Sequence, residues 1–577
     1  MLRCTQAIRA SRVIIRFGSS NWVEDARLTP ALNAIGTNSR PLAAWLGFAA
    51  AVFTCLFGGL GEIGLVGPDE PRYAWIARAM AESGDWVTPR LYGQPWFEKP
   101  VLYYWAAAVG FRLNLPAEWA ARLPSALAAL VAALTIGWLG SKHYARDLSS
   151  LESPALLAPL LFSTTVAAIG FSHSASPDML FAASVALAMA SAACVLGRAG
   201  ALRQADRAAD GTDLAPLLLF GLFLGLGVLA KGPAALALTG GAVGLWAALT
   251  TKWRAALRLV HPVSIGVFSV VALPWHVICA MRNPTFLRVY IFQHNVARYL
   301  TPMFQHQQPF WFFGPIVFLA LLPWTVLLWP AAQEGIRFWR DRSWGDSPGL
   351  FCACWAAFPF LFFSLSQSKL PGYILPAIPP LALLCAIAAI RAIKRRSTHF
   401  LFAGIGGAWL LLGVAAWRGM ARVSIDAIGN SRAIGAVAAI AGLLIAVGLV
   451  AISFYRQPQL VIALSVLAVA LAVGAVTLGV LPKLEPLFSA RSHVAFMGND
   501  QHPERIFTYR LARSWDYGLA FYFHRELPEW APTDPEAALV LTTPDGLEQI
   551  EKLGRFRGGL DEAYVGILYV PVQREPR

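Results

Sequence analysis

Acids and bases that fold to one depth in a protein can do chemistry, and this sequence supplies a set of them. Asp69, Glu70 and Arg72 lie in GPDEPRYAWIARAM, and Glu98 and Lys99 lie in WFEKP. Asp178 stands in SPDML, Lys231 in LAKGP, and Lys369 and Tyr373 in SKLPGY, with His294 and Arg298 four residues apart between them. Lysine and arginine suit an anionic ligand, a phosphate above all, because arginine offers a two-pronged donor and lysine a point charge. Carboxylates in the same place suit a hydroxyl, an amine or a metal ion. Glu98 and His294 are two candidate metal ligands, a thin donor set for a divalent cation. Tyr73, Trp75, Trp96, Phe97, Tyr103, Tyr104 and Trp105 offer ring faces to a sugar or a lipid headgroup.

Each of these has a plainer role open to it. The aromatics fit an interfacial belt, Glu98–Lys99 a snorkelling pair, and Lys231 the end of a helix. Asp69 precedes Pro71 and fits a helix N-cap, a role that does not exclude a catalytic one.

The elements that carry these residues are hydrophobic. Of 577 residues 57% are hydrophobic and 14% charged, and mean hydropathy is +0.54. Windows such as 43–60, 214–230 and 434–454 carry no charge and are long enough to cross a bilayer core. In hydrocarbon the backbone must satisfy its own hydrogen bonds, so these runs are helices. The fold class is therefore an all-α polytopic membrane protein. Thirteen spans are expected, at about 42–63, 118–140, 154–172, 178–197, 214–230, 232–250, 261–280, 310–332, 350–367, 371–390, 399–417, 432–455 and 459–481. With the N-terminus inside, basic clusters such as Lys252, Arg254 and Arg258, or Arg391, Lys394, Arg395 and Arg396, fall in alternate loops, as the positive-inside rule requires. The net charge of +14 then reflects topology and anionic membrane lipid, and does not point to nucleic acid. The seven cysteines have no zinc or redox spacing.

This topology puts the acids and bases named above at one depth on the outer side, where they form a polar cavity. It divides the chain into a basic cytoplasmic arm (1–41), a transmembrane domain (42–481) with an outer first loop (64–117), and an outer tail (482–577). The arm has Arg3, Arg9, Arg12 and Arg16 but lacks the apolar core of a signal peptide. Within the first loop, 71–82 reads as an amphipathic helix lying along the interface. Strands at 505–509, 537–542 and 564–570 and helices at 514–524 and 545–553 make the tail a small α/β domain.

PDEPRYAWIARAM, followed by GDWVTPRLYGQPWFEKPVLYYW, resembles the first outer loop of the aminoarabinose transferases that modify lipid A. These enzymes belong with the protein O-mannosyltransferases in the GT-C class of lipid-carrier-dependent glycosyltransferases. SPDML, LAKGP and SKLPGYILPAIPPLALL are similar to the same family, and the likeness extends over about 65–385. It implies an enzyme of the bacterial inner membrane whose active site faces the periplasm. That enzyme moves 4-amino-4-deoxy-L-arabinose from undecaprenyl phosphate to a lipid A phosphate and requires no cofactor. By the resemblance Asp69 is the catalytic carboxylate and Asp178 a second required acid. Lys99, Arg72, Lys231, Arg298 and Lys369 hold carrier or acceptor phosphate, and Tyr73, Glu98 and Tyr373 line the cavity. Asp69→Asn is then expected to be inactive and Glu70→Gln milder. Val101, where relatives often have a second proline after FEKP, and the long basic arm depart from the family pattern. Two other functions fit the same residues: a related enzyme that passes a lipid-linked hexose or mannose to protein or another glycan, and a secondary transporter. The absence of repeated halves speaks against transport.

Overall fold

The computed structural model describes residues 39–143, 153–198, 214–301, 307–341, 347–394, 399–421, 431–454, 458–497, 506–533, 537–553, 556–558, 562–564 and 567–574. Most of the basic arm lies outside them, as do Arg395 and Arg396. The chain divides into two compact units, Met1–Gly47 and Phe48–Arg577. The described part of the first is the beginning of helix α1 (Ser39–Phe57).

The first loop is built, not open. Helix α2 (Asp69–Ser83) ends at Gly84, whose φ of +73° lets its N–H turn back onto the Met80 carbonyl. A hairpin of β1 (Arg90–Leu91) and β2 (Gln94–Pro95) follows, then α3 (Leu102–Arg112). The expected helix at 71–82 is present, and it is packed into the protein. Glu70, Tyr73, Ala74, Ile76, Ala77, Arg78 and Met80 are all buried, because α2 packs on α3 and on a helix of the tail. Tyr103, Tyr104, Ala107 and Ala108 of α3 are buried as well.

The hydrophobic segments follow as α4 (Ala117–His143), α5 (Pro154–Ser163), α6 (Val166–Ser172), α7 (Asp178–Arg198), α8 (Ala215–Lys231), α9 (Ala234–Thr250) and α10 (Pro262–Arg282). A π-helical stretch, Arg288–Ala297, runs into Arg298–Leu300. Next come α11 (Phe313–Ala320), α12 (Leu328–Arg340), α13 (Pro348–Ser364), a 3₁₀ segment Pro371–Ala377, α14 (Ile378–Lys394), α15 (His399–Ala421), α16 (Ser431–Phe454) and α17 (Pro458–Ala475).

Among the described residues six helices are long and apolar enough to cross a membrane, or eight if each bent pair is one span. Further apolar helices, α8, α9 and α13 among them, are shorter. Two expected spans are broken. The segment 154–172 bends by 63° between α5 and α6, where Thr165 leaves the helix and caps α6 through Ala168 N at 3.1 Å. The segment 310–332 bends by 111° after α11, so Trp324–Arg340 runs off across the first direction. Burial sorts the long helices: 83% of the α7 window is buried, against 22% for α10 and for Ala433–Ile452. The helix that starts at Asp178 is therefore central, and its alanines allow neighbours to approach closely.

The tail begins with α18 (Leu481–Phe488) and α19 (Ala490–Met497). Strand β3 (Ile506–Tyr509), α20 (Arg513–Phe523), β4 (Ala537–Thr542), α21 (Pro544–Lys552), β5 (Phe556–Gly558), β6 (Glu562–Tyr564) and β7 (Ile567–Arg574) complete it. The sheet order is β3-β4-β7-β5, with β6 also on β7. Strands β3 and β4 are parallel, with Ile506 opposite Leu539, and the other pairings are antiparallel. Helix α20 makes the crossover between β3 and β4. β3, β4, α20 and α21 stand within a residue of the expected bounds; the strand expected at 564–570 is found three to four residues further on, as β7, and β5 and β6, three residues each, carry too few residues to show an alternation.

Candidate active site

A buried ion pair fixes the site before any exposed residue does. Arg122 of α4 and Glu70 of α2 are 2% and 5% exposed, and their side chains meet at 2.6 Å and 3.3 Å. Arg122 also donates to the carbonyls of Leu60, Ile63 and Gly64 at 2.7–2.8 Å. Glu70 accepts from Val66 N at 2.9 Å and from Ala175 N at 2.8 Å. One carboxylate thus ties the chain entering α2 to the turn three residues ahead of Asp178. Asp69, next to Glu70, is held relative to Asp178 by that clasp.

Asp69 is the first residue of α2, and Pro68 holds the N-cap position, where no side chain caps the helix. The capping role open to Asp69 is therefore not the one it plays. Its carboxylate pairs with Arg72, one turn on. Arg72 in turn reaches Glu98 at 3.2 Å, and Glu98 also meets Lys99 at 3.3 Å and Arg298 at 3.7 Å. Burial works against the Glu98 anion, but Lys99, Arg72, His294 and Arg298 outweigh it and hold its pKa at about 2. Asp69 behaves in the opposite sense. Its side chain is 61% exposed. Desolvation by the surrounding protein, with Glu98 and Asp178 adding to it, outweighs Arg72 and Lys99 and raises the carboxyl above its ordinary value. His294 is lowered, by burial first and then by the neighbouring cations.

A second pair lies beside the first. Lys231, at the end of α8, contacts Asp178 at the start of α7, and its ammonium sits 4.9 Å from the centre of the Tyr373 ring and 5.6 Å from that of Phe181. Gly372 leaves room beside this pair for Phe171: a Cβ there would lie 2.9 Å from the Phe171 ring.

Glu98, Lys99, Lys231, His294, Arg298 and Tyr373 line one cavity of about 360 Å³. Its other walls include Tyr290, Tyr299, Leu300, Phe362 and Phe363, so cations stand in a largely apolar and aromatic chamber. Two expected members are elsewhere. Tyr73 is buried against Tyr103 and Tyr104, with ring centres 6.0 Å away, and is core rather than lining. Lys369 is buried and donates to the Ser366 carbonyl at 2.6 Å, so its charge is spent on closing its own turn. Asp69, Arg72 and Asp178 stand beside the cavity, linked to its lining through Glu98 and Lys231. Among the described residues no three His, Cys, Asp or Glu side chains converge to hold a metal. Glu98 meets three cations, Arg72, Lys99 and Arg298.

Some of the site was not anticipated. Arg122 is a charge inside an apolar window, a signal strong enough to have marked it. Tyr290 is 1% exposed, and its hydroxyl has no hydrogen-bond partner among the described residues. It crowds Gly232 (φ +81°), where a Cβ would come within 2.5 Å of that hydroxyl. It sits on the π-helical stretch, where the Asn295 side-chain amide donates to the Tyr290 carbonyl at 2.7 Å.

Comparisons with known proteins show what the chain is similar to. A family model described as dolichyl-phosphate-mannose-protein mannosyltransferase matches residues 44–290. The undecaprenyl phosphate-alpha-4-amino-4-deoxy-L-arabinose arabinosyl transferase of Edwardsiella ictaluri is 35% identical over 358 residues, 61% of this chain and 61% of that one. The transferase of the same name from Erwinia tasmaniensis is 33% identical over 319 residues, 55% of this chain and 54% of that one. Over these stretches the chain is similar in sequence to the aminoarabinose arabinosyl transferases. The matches span roughly half to three fifths of the length of those curated relatives. ArnT from Cupriavidus metallidurans, solved bound to undecaprenyl phosphate, superposes with a TM-score of 0.74 at 24% identity, over 92% of this chain and 98% of that one. The chain therefore has the fold of ArnT, tail included.

Proposed function

We propose that this protein is a glycosyltransferase that moves 4-amino-4-deoxy-L-arabinose from undecaprenyl phosphate to a lipid A phosphate. In this reading the cavity opens on the periplasmic side of the bacterial inner membrane. The arm 1–41 is cytoplasmic, 42–481 forms the membrane domain, and 482–577 lies in the periplasm. The observation that carries the proposal is the convergence of Lys99, Lys231 and Arg298 in an aromatic chamber with the Asp69–Arg72 pair at its side. Such a chamber suits an amphiphile with an anionic junction between its head and its tail.

The chemistry follows from that arrangement. A prenyl tail contributes about 0.8 kcal/mol for each CH₂ buried, so the donor is held without many sugar contacts. As the bond between the sugar carbon and the carrier phosphate oxygen breaks, negative charge develops on the leaving phosphate. Preset cations there stabilise it more than they do the ground state. The acceptor phosphate is already an anion and needs little deprotonation. Asp69 then stabilises positive character on the sugar or orients the acceptor. Glu98, held ionised by its neighbours, spaces the cations so that they do not repel one another into disorder.

The test is transfer in vitro by purified protein, given undecaprenyl phosphate-linked aminoarabinose and lipid A. Conversion of lipid A to the aminoarabinose-modified form supports the proposal. The family match over 44–290 favours one other acceptor, protein, in a second reading. Labelling of a protein fraction with lipid A unchanged would select that reading.

A further inference from the structure

The tail reaches the site. Helix α20 lies on α2, and Tyr517 places its ring 5.7 Å from the Arg72 guanidinium carbon. Tyr73 and Trp96 stand 5.2 Å and 5.4 Å from the same carbon, so three aromatic rings surround the cation that joins Asp69 to Glu98. Tyr517 is backed by Tyr92, which packs edge-on against Trp75 at 4.9 Å.

The helix is fastened in register by contacts on the same face. Arg78 of α2 donates to the Phe521 carbonyl at 3.0 Å and lies over the Phe521 ring at 4.2 Å. The Tyr522 hydroxyl accepts from Leu65 N and donates to Glu118, both at 2.8 Å. Arg491 adds donors to the carbonyls of Gly61 and Glu62 at 3.0 Å. These fastenings hold to the chain that enters α2, which is also what the Glu70–Arg122 clasp holds.

We infer that Tyr517 is a positioning residue for the transfer reaction: the tail supplies, through its ring, the third wall that keeps the Arg72 guanidinium between Asp69 and Glu98. This rests on the function proposed above. A ring face attracts a guanidinium whether or not it carries a hydroxyl, so phenylalanine should serve and alanine should not. Loosened, Arg72 would no longer hold down the Asp69 carboxyl.

The experiment compares full-length wild type, Tyr517→Ala and Tyr517→Phe for transfer rate against pH, with undecaprenyl phosphate-linked aminoarabinose and lipid A as probes. A cation–π contact of this kind corresponds to about a 2- to 30-fold change. The expected result is a loss of that size in kcat for Tyr517→Ala, with KM for the donor nearly unchanged. The acid limb of its pH profile moves to higher pH, and Tyr517→Phe restores both. Equal rates for alanine and wild type would overturn the inference. So would alanine and phenylalanine variants equally impaired with the acid limb unmoved, since that pattern belongs to packing alone. If wild type transfers no aminoarabinose, the proposed function fails, and the structure of Tyr517→Ala decides the inference separately. Arg72 displaced from Glu98 supports it; Arg72 in place overturns it.

Discussion

Glu70 meets Arg122 at 2.6 Å in the protein interior, and that pair, more than any exposed residue, sets the distance between the Asp69 and Asp178 segments. Its loss has a calculable direction. Glu70→Gln leaves the Arg122 charge buried without its counter-ion, which typically costs about 3–5 kcal/mol. The helical spacing is right that Glu70 points away from Asp69, but the place it points to makes the change severe rather than mild. The variant is expected to lose thermal stability in detergent and accumulate poorly in the membrane. A melting curve like wild type's would show that the clasp is dispensable.

Asp69→Asn separates charge from shape. Asparagine keeps the side-chain length but cannot stabilise positive character on a sugar or hold Arg72 as an ion pair. The variant is expected in the membrane at wild-type level, with a similar melting temperature and transfer below about one hundredth of wild type, a loss of about 3 kcal/mol or more. Because the Asp69 carboxyl is raised above its ordinary value, wild-type activity should fall on the acid side before an ordinary carboxylate would protonate. Glu98, held at about 2, stays ionised throughout that range. Transfer by Asp69→Asn at matched protein level would remove Asp69 from the mechanism.

Lys99→Ala and Arg298→Ala each remove a cation from the cavity wall. One lost charge-assisted contact costs about 1.5–3 kcal/mol, or roughly ten- to a hundredfold in transfer. Lys369→Gln, whose parent lysine closes its own turn, should change donor KM far less. Reversed sizes in steady-state kinetics would put the phosphate at Lys369.

The membrane architecture and the members of the site were legible for different physical reasons. Long uncharged runs have one outcome in hydrocarbon, so the helices at 178–197 and 371–390 follow from composition. The convergence of Lys99, Lys231 and Arg298 followed from placing polar residues at one depth. Breaks at Thr165 and after Ala320 were not legible, because hydropathy counts apolar residues and is blind to direction. Tyr73 was misplaced for a related reason: a tyrosine in a first loop looks interfacial until Tyr103 and Tyr104 of the next helix cover it. Tyr517 lies some 440 residues from Arg72 in sequence, and no local pattern in RSWDYGLAFYF marks the ring that meets it.

In the tail, burial with a smaller opposing effect from Thr508 raises the Asp516 carboxyl to about 6. A raised acid favours the folded state when protonated, so this group's contribution to stability falls as pH rises from about 4 to about 6 and stays low above that. Asp516→Asn removes the penalty. At pH 7.5 it should stabilise the protein by about 1 kcal/mol, discounted for partial exposure, and at pH 4 the gain should vanish. Melting temperatures at the two values measure this; a variant less stable than wild type at pH 7.5 would show that the carboxylate is needed.

The most direct measurement is mass spectrometry of lipid A from cells with and without this gene, complemented by wild type and by Asp69→Asn. Lipid A bearing the aminoarabinose increment is expected with the wild-type gene and absent both from the deletion and from the Asp69→Asn strain. Lipid A of identical mass in all strains, with the donor lipid present and the protein in the membrane, would contradict transfer of aminoarabinose to lipid A.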